Sequence, residues 1–254
     1  MTSALFLTWQ DPETRNWYPV GRLTVENGDY VFVYTKGAEA SPRFITFGSM
    51  NQLNVKYVSK VLFPLFANRL LTKSRPEYNR YLNWMGFHHG DANPLEELAR
   101  TGGERVTDSL QIYPCPTKTS DGKYVTYFFC HGIRHLRGGS SQEIVKFESE
   151  QKLLPMFDLL NPFDEQAVAL RTSDPAMMIG YCPRYLAHDV RELASMAKAS
   201  FDLKVELINH DAPIQFRLLC RLTATWPDGF NPCSEPAFQS LIPRSEGQTE
   251  RIVG

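Results

Sequence analysis

The sequence has no hydrophobic run long enough to span a bilayer and no recognisable export signal. Its best apolar window, residues 61–67, is far short of the roughly 20 residues that a membrane helix needs. The first seven residues carry no basic side chain, and polar Gln10 and Asp11 follow soon after them. We therefore expect a cytoplasmic protein with no membrane partner.

An excess of charge of either sign is also missing. The chain carries 27 Lys and Arg against 28 Asp and Glu, a formal charge of −1. This balance excludes a strongly basic nucleic-acid coat protein and an acidic mimic, so any polyanion must bind at a local patch. Apolar residues make up 43% of the 254 residues, which is enough to bury the core of one large domain or two ordinary ones.

The cysteines do not form the close pairs that disulfide frameworks and structural zinc sites require. There are five, at positions 115, 130, 182, 220 and 233, and none belongs to a C-x-x-C motif. The nearest approach to a metal-ligand cluster is Cys130-His131 with His135, in a segment typical of a strand end. We therefore expect free, buried or half-buried thiols, with no metal site and no cofactor.

One loop-like segment divides the chain. Residues 114–123, with two prolines, a Thr/Ser cluster and an Asp-Gly pair, lie between two apolar runs. They predict a domain at 1–114, a linker at 115–123, a second domain at 124–230 and a C-terminal tail at 231–254, whose residues 244–250 are polar enough to fray. The predicted fold class is α+β.

The first half has the pattern of a small α+β domain, an antiparallel hairpin or sheet with helices. Residues 22–25 and 30–34 alternate, and the Asn27-Gly28 pair between them favours a tight hairpin turn. Apolar residues then recur at helical spacing over 58–71, and a second helix is predicted to begin near Pro76 and end near Gly86. Asn93 and Pro94 predict the start of a third helix, with Gly102-Gly103 as its end.

Residues 5–114 resemble the N-terminal subdomain of HipA-type toxin kinases. The resemblance is carried by Val20-Gly21-Arg22-Leu23, by the Asn68-Arg69-Leu70-Leu71 run and by the G-G-x-R-V-x-D-x-L pattern of residues 102–110. In that family a kinase domain follows. Here no glycine-rich phosphate loop and no kinase catalytic-loop motif is present, so kinase activity is not implied. We expect this half to dock a protein partner.

The second half has the pattern of a small closed barrel around one helix. A helix is predicted from Pro183 through Met196, among short strand-like segments. These segments are residues 124–130, 144–147, 152–160, 167–171, 177–181, 203–208 and 216–223.

Three motifs in this half resemble the HIRAN domain, a small OB-like β-barrel. They are Gly132-Ile-Arg134-His135, then the N-P-F-D-x-x-A-V block of residues 161–168, then the I-G-Y-x-P-x-x-L-A block of residues 179–187. The resemblance covers about residues 124–225. It implies recognition of single-stranded DNA, in the best-understood members at a free 3′-hydroxyl end.

Seven residues are the candidate DNA contacts under this resemblance. They are Arg134, His135, Asn161, Phe163, Asp164, Tyr181 and Arg184. The two arginines are suited to phosphate, and the carboxylate of Asp164 to a 3′-hydroxyl donor. The rings of Phe163 and His135 are suited to stacking against bases, and the Asn161 amide to a base edge or the backbone.

Structural roles remain open beside these functional ones. Asn161 and Asp164 also form a good turn with their own backbone, and Phe163 could instead plug the barrel. Tyr181 could serve the fold alone, and His135 could be an ordinary surface histidine. Family members have tyrosines where this chain has His135, Leu136 and Phe163. These departures preserve stacking but remove phenolic hydrogen bonds.

No hydrolase, metalloprotease or calcium-loop motif occurs, so we do not expect an enzyme. Two hypotheses remain. The first is a module that binds single-stranded DNA or DNA ends through the second half, with the first half docking a protein. The second is a protein-interaction regulator of a toxin–antitoxin or phage-defence system, in which the second half is a scaffold.

Overall fold

The computed structural model describes residues 4–87, 92–105, 107–135, 147–242 and 248–251. The strands are β1 Ala4–Gln10, β2 Trp17–Glu26, β3 Asp29–Tyr34, β4 Val55–Ser59, β5 Leu110–Pro114, β6 Lys123–Phe129, β7 Leu154–Phe157, β8 Val168–Arg171, β9 Met178–Tyr181, β10 Asp202–Ile208, β11 Leu218–Thr225 and β12 Gln248–Arg251. The helices are α1 Pro64–Ala67, α2 Tyr78–Trp84, α3 Pro94–Thr101 and α4 Arg184–Met196. None of them is long and apolar enough to cross a bilayer.

The chain divides into two compact units, and neither is a single continuous stretch. Within the described residues, the first unit comprises 4–75, 92–115 and 231–251, and the second comprises 76–87 and 116–230. This division departs from the sequence-based boundaries in two places. The segment with α2 belongs to the second unit, and the C-terminal segment belongs to the first.

A six-stranded sheet in the order β12-β4-β3-β2-β1-β5 forms the first unit. The predicted hairpin is confirmed between β2 and β3. Its turn places Asn27 at φ 53° and Gly28 at φ 84°, the left-handed conformation that an Asn-Gly pair adopts most readily. One face of the sheet, with Leu7, Leu23 and Phe32, shares a buried core with α1 and α3.

The opposite face of this sheet is covered by the C-terminal segment. The Phe238 ring lies 4.9 Å from the ring of Phe6, and the amide of Leu241 donates to the Tyr34 carbonyl at 3.0 Å. β12 then pairs in parallel with β4. Residues 231–242 and 248–251 are therefore part of the first unit's structure. The prediction of a frayed tail is wrong where β12 forms, and residues 243–247 lie outside the described part.

The helical prediction for residues 58–71 is largely wrong. Val55, Tyr57 and Ser59 are buried on one side of β4, an alternation of period two, and only Pro64–Ala67 is α-helical. The predicted α2 and α3 are confirmed. The Asn93 side chain accepts the amides of Leu95 and Glu96 at 3.0 Å, and Gly102 ends α3 at φ 71°.

Two three-stranded sheets and α4 form most of the second unit. Their orders are β10-β11-β6 and β7-β8-β9. Single bridges join them, His131 with Tyr181 and Lys152 with Lys204. The α+β class is confirmed, but the structure shows two bridged sheets where a closed barrel was predicted. Of the segment predicted as a strand at 144–147, residues 144–146 lie outside the described part.

The helix α2 packs into this second unit through its aromatic and polar side chains. The Trp84 ring stacks on Phe216 with centroids 6.3 Å apart, and its indole N–H donates to Asp211 Oδ1 at 3.1 Å. The Asn209 amide donates to the Trp84 carbonyl at 2.8 Å. These partners lie more than 120 residues further along the chain, so local sequence pattern could not place the helix.

The five cysteines, all of which lie in the described part, form no disulfide, as expected. Cys130, Cys182 and Cys220 are buried in the core of the second unit, and Cys115 and Cys233 are half-buried. Burial raises the pKa of the Cys130 thiol to about 12, so it is protonated and unreactive at neutral pH.

Candidate nucleic-acid interface

The hairpin loop between β7 and β8, residues 158–167, is built around Asn161. The Asn161 Oδ1 atom accepts the backbone N–H of Phe163 at 3.0 Å and that of Asp164 at 3.2 Å. Its Nδ2 donates to Asp158 Oδ2 at 3.0 Å. An asparagine that bonds its own following backbone is a turn-forming residue. The amide therefore fixes the loop from within.

Asp158 anchors the base of this loop to the neighbouring strand. Its backbone N–H donates to the Ala167 carbonyl at 3.0 Å, which closes the loop. The Tyr181 hydroxyl, on β9, donates to Asp158 Oδ2 at 2.9 Å. Burial, and then this bond to a carboxylate, raise the pKa of the Tyr181 hydroxyl. Tyr181 therefore remains a protonated donor at neutral pH.

Asp164 and Arg184 form an ion pair at the rim of the loop. Arg184, the first residue of α4, donates from Nε to Asp164 Oδ2 at 3.0 Å and from Nη2 to the Phe163 carbonyl. Asp164 Oδ1 accepts the backbone N–H of Gln166 at 3.0 Å. Each carboxylate oxygen thus has one protein donor and retains a second lone pair for another.

A second arginine of α4 holds the other end of the loop. Arg191 lies seven residues after Arg184, two turns along the same helix face. Its Nε donates to the Gln166 carbonyl at 2.9 Å, and its Nη2 donates to the Ala167 carbonyl at 3.3 Å. The guanidinium carbon also lies 4.6 Å from the centroid of the Phe157 ring, at the end of β7.

Phe163 projects from this fixed loop into solvent. Its side chain is 87% exposed, so the ring does not plug the core of the second unit. Its backbone, in contrast, is bonded on both sides, at the amide by Asn161 and at the carbonyl by Arg184. An aromatic ring displayed in this way offers a free π-face.

Two glycines let the Arg134 segment approach β9. A Cβ at Gly180 would lie 2.4 Å from Cys130 Sγ and 2.5 Å from the His131 carbonyl oxygen. A Cβ at Gly132 would lie 3.1 Å from the ring of Tyr181. Any larger residue at Gly180 would push these backbones apart, so the close approach depends on glycine.

Arg134 lies two residues beyond this contact, in a short 3₁₀ turn at residues 133–135, and its side chain is exposed. The backbone of His131 exchanges two hydrogen bonds of 2.9 Å with that of Tyr181. The segment that carries Arg134 is thereby tied to β9. The side chain of His135 lies outside the described part of the structure.

The structure brings most of the candidate residues into one bonded arrangement. Asn161, Phe163, Asp164 and Arg184 are linked directly, and Tyr181 joins them through Asp158. Asp158, Arg191 and the exposed leucines 159 and 160 also belong to this arrangement, although no sequence motif named them. The adjacent leucines next to an Asn-Pro turn were an available signal, because a turn places such side chains at the surface.

Comparisons with known proteins give two distant structural similarities. The HIRAN domain of human HLTF is 14% identical over 42% of this chain and 81% of that chain, with a TM-score of 0.31. A protein from Lactobacillus plantarum is 14% identical over 41% of this chain and 99% of that chain, with a TM-score of 0.29. Similarity at this level does not establish a common fold.

No family model matches the sequence, and no curated protein matches it. One of these two structural neighbours is a HIRAN domain. The resemblance of residues 5–114 to HipA-type proteins finds no support in these comparisons.

Proposed function

We propose that this protein is a non-enzymatic DNA-binding protein whose second unit binds single-stranded DNA at a free 3′ end. The observation that carries the proposal is the exposed ring of Phe163, held on a rigid loop beside Asp164 and Arg184. An unpaired base stacking on an aromatic ring gains about 1–3 kcal/mol. Because the loop is already fixed, little ordering entropy opposes that gain.

The ion pair gives Asp164 a role that suits a strand end. A lone carboxylate would repel a nearby phosphate, but the Arg184 guanidinium at 3.0 Å offsets its charge. The remaining lone pairs of Asp164 can accept a hydrogen bond from a terminal 3′-hydroxyl, a donor that an internal nucleotide lacks. Arg134, exposed on the segment tied to β9, would bind the adjacent phosphate.

The near-neutral charge of the chain fits a small contact area on the DNA, with few phosphates bound. Few phosphate contacts are available, so most of the affinity must come from stacking and end recognition rather than from counterion release. The first unit would then serve a second purpose, docking a protein partner that the DNA-bound unit brings to the strand end.

The proposal is tested by fluorescence anisotropy with single-stranded oligonucleotides that end in a 3′-hydroxyl or a 3′-phosphate. We expect the 3′-hydroxyl form to bind more tightly, with a shallow salt dependence. The Phe163→Ala variant should lose about 1–3 kcal/mol of binding free energy while its melting temperature stays unchanged, because the ring is exposed. If neither oligonucleotide binds, the proposal is refuted and the protein-interaction regulator is favoured.

A further inference from the structure

Exposed apolar side chains are concentrated in and beside the loop of residues 158–167. Ten large hydrophobic side chains are exposed among the described residues, and five of them lie within the eight residues 156–163. These are Met156, Phe157, Leu159, Leu160 and Phe163. Phe163 belongs to the site proposed above, and the other four have no role in it. We call these four the apolar strip.

The apolar strip is displayed by a backbone that is held in place. Leu159 and Leu160 are 68% and 93% exposed, yet they lie between Asp158 and Asn161, whose side chains are hydrogen-bonded to each other at 3.0 Å. Clustered exposed apolar groups carry a hydration cost, and on a soluble protein they commonly mark a binding surface. Because the loop already holds these two leucines exposed, little conformational entropy is lost when a ligand binds them.

One end of the apolar strip carries a positive charge, the guanidinium of Arg191. Arg191 covers one side of the Phe157 ring at 4.6 Å, and its hydrogen bonds run to backbone carbonyls. Within the described residues no carboxylate lies within ion-pair distance of Arg191, in contrast to Arg184 with Asp164. An aromatic ring beside an uncompensated guanidinium matches a nucleotide, which presents a base and a phosphate together.

We propose that the apolar strip and Arg191 form a second nucleotide subsite, which holds the nucleotides that precede the terminal one. The inference rests on the proposed function. The terminal base stacks on Phe163, the strand passes over Leu160 and Leu159, and an internal base and phosphate meet Phe157 and Arg191. This arrangement makes the ligand a strand end of several nucleotides rather than a terminal nucleotide alone.

Two features of the strip favour a nucleotide over a protein partner. The four side chains of the apolar strip are far fewer than the roughly 20–30 residues that each side of a stable protein interface contributes. β7 is also an edge strand of its sheet and contains Pro155, which has no N–H to donate to an added strand. Pairing with another protein's strand is therefore blocked in part.

The experiment is a length series of 3′-hydroxyl oligothymidylates of two to six nucleotides, measured by anisotropy competition. For the wild type we expect affinity to rise by about tenfold between two and four nucleotides, the value of one added stack. The Leu160→Ser and Phe157→Leu variants should lose this rise and bind the dinucleotide as the wild type does. Ile45→Ser, which alters a side chain 81% exposed in the first unit, is the matched control and should leave the series unchanged.

The outcomes separate the subsite from the proposed function. The second subsite would be overturned, with end binding left intact, by either of two results. The Leu160→Ser variant could lose the same factor of affinity at every oligonucleotide length, or its affinity could rise with length as that of the wild type does. No binding by the wild type at any length would overturn the proposed function itself. Leu160 makes no core contribution at 93% exposure, so its variant tests the subsite even if Phe157→Leu disturbs β7.

Discussion

The hydroxyl of Tyr181 donates to Asp158 Oδ2 at 2.9 Å and so connects the strand β9 to the loop that carries Phe163. The same carboxylate oxygen accepts the Asn161 amide at 3.0 Å. Two residues that the sequence analysis named separately, Tyr181 and Asn161, thus act on one atom of a residue that it did not name. Their shared effect is to fix the loop conformation.

Replacing Tyr181 with phenylalanine should loosen this loop. The variant loses one hydrogen bond to a carboxylate, and we expect its free energy of unfolding to fall by about 1–2 kcal/mol. Hydrogen exchange at the amides of Phe163 and Asp164 should accelerate, because their acceptor Asn161 is less firmly held. The measurement is exchange mass spectrometry with Tyr30→Phe, in the first unit, as the control. Unchanged exchange at both amides would show that Asn161 fixes the loop without Tyr181.

Replacing Asp164 with alanine should change end selectivity rather than overall affinity. Binding of a free 3′-hydroxyl end should weaken, since its acceptor is gone. Binding of a 3′-phosphate end should hold or strengthen, because a carboxylate is removed and Arg184 is released to bind it. Anisotropy titrations of the two ends against wild type and variant measure this. If the wild type does not distinguish the two ends, Asp164 serves only the loop.

Replacing Arg134 with alanine should weaken binding to every sequence to a similar degree. A charge-assisted contact to phosphate accounts for about 1.5–3 kcal/mol of binding free energy, and the side chain is exposed. Lys118→Ala, an exposed cation of the loop before β6, is the control. An affinity loss that depends on base identity would instead place Arg134 at a base edge.

Asp189 predicts a pH dependence of stability. It is buried on α4 and accepts the Tyr124 hydroxyl at 3.1 Å, and burial raises its pKa to about 6. The folded state therefore binds this proton more tightly than the unfolded state. The resulting stabilisation is complete below about pH 4 and is lost as the pH rises through about 6, in total about 2–3 kcal/mol.

Urea unfolding of wild type and Asp189→Asn between pH 4 and pH 7.5 measures this difference. The asparagine variant keeps an acceptor for Tyr124 without the titration, so the difference between the two should shrink or reverse as pH rises. His188 and Glu192 also face Asp189 and are present in both proteins. A pH-independent difference would contradict the raised pKa.

A single cut in the segment before β6 should not separate the two units. The first piece, ending at Ser120, carries α2, which packs in the second unit, and the second piece carries residues 231–251 of the first unit. With a protease site inserted after Ser120, we expect two bands on a denaturing gel but one species on native size exclusion. Two folded fragments that elute separately would contradict this division of the chain.

Local chemistry made part of this structure predictable. The Asn27-Gly28 turn and the Asn93 cap with Gly102 depend on a few adjacent residues, and both formed as expected. Apolar side chains recur at helical spacing over residues 58–71, but burial along β4 alternates with a period of two. Pairing of β4 with β3 stabilises a strand over residues 55–59. The place of α2 and of the C-terminal segment depends on partners distant in sequence, such as Phe216 for Trp84 and Phe6 for Phe238.

The sequence motifs named residues that the structure brings together, but they did not reveal the bonds that connect them. The motifs identified Phe163, Asp164 and Arg184, which the structure joins. The pairing of Arg191 with Phe157, by contrast, follows from the position of α4 over the loop, which no spacing in the sequence reports.

The interleaved course of the chain has a consequence for synthesis on the ribosome. Domains commonly fold as they emerge, the N-terminal one first. Of the described strands β12 is made last, and the six-stranded sheet that contains β1 remains incomplete until residues 116–230 have been translated. The first unit is thus completed only after residues 116–230 of the second unit have been made. Until then, the apolar face with Phe6 and Tyr113 lacks the residues that cover it, which makes the nascent chain a candidate for chaperone binding.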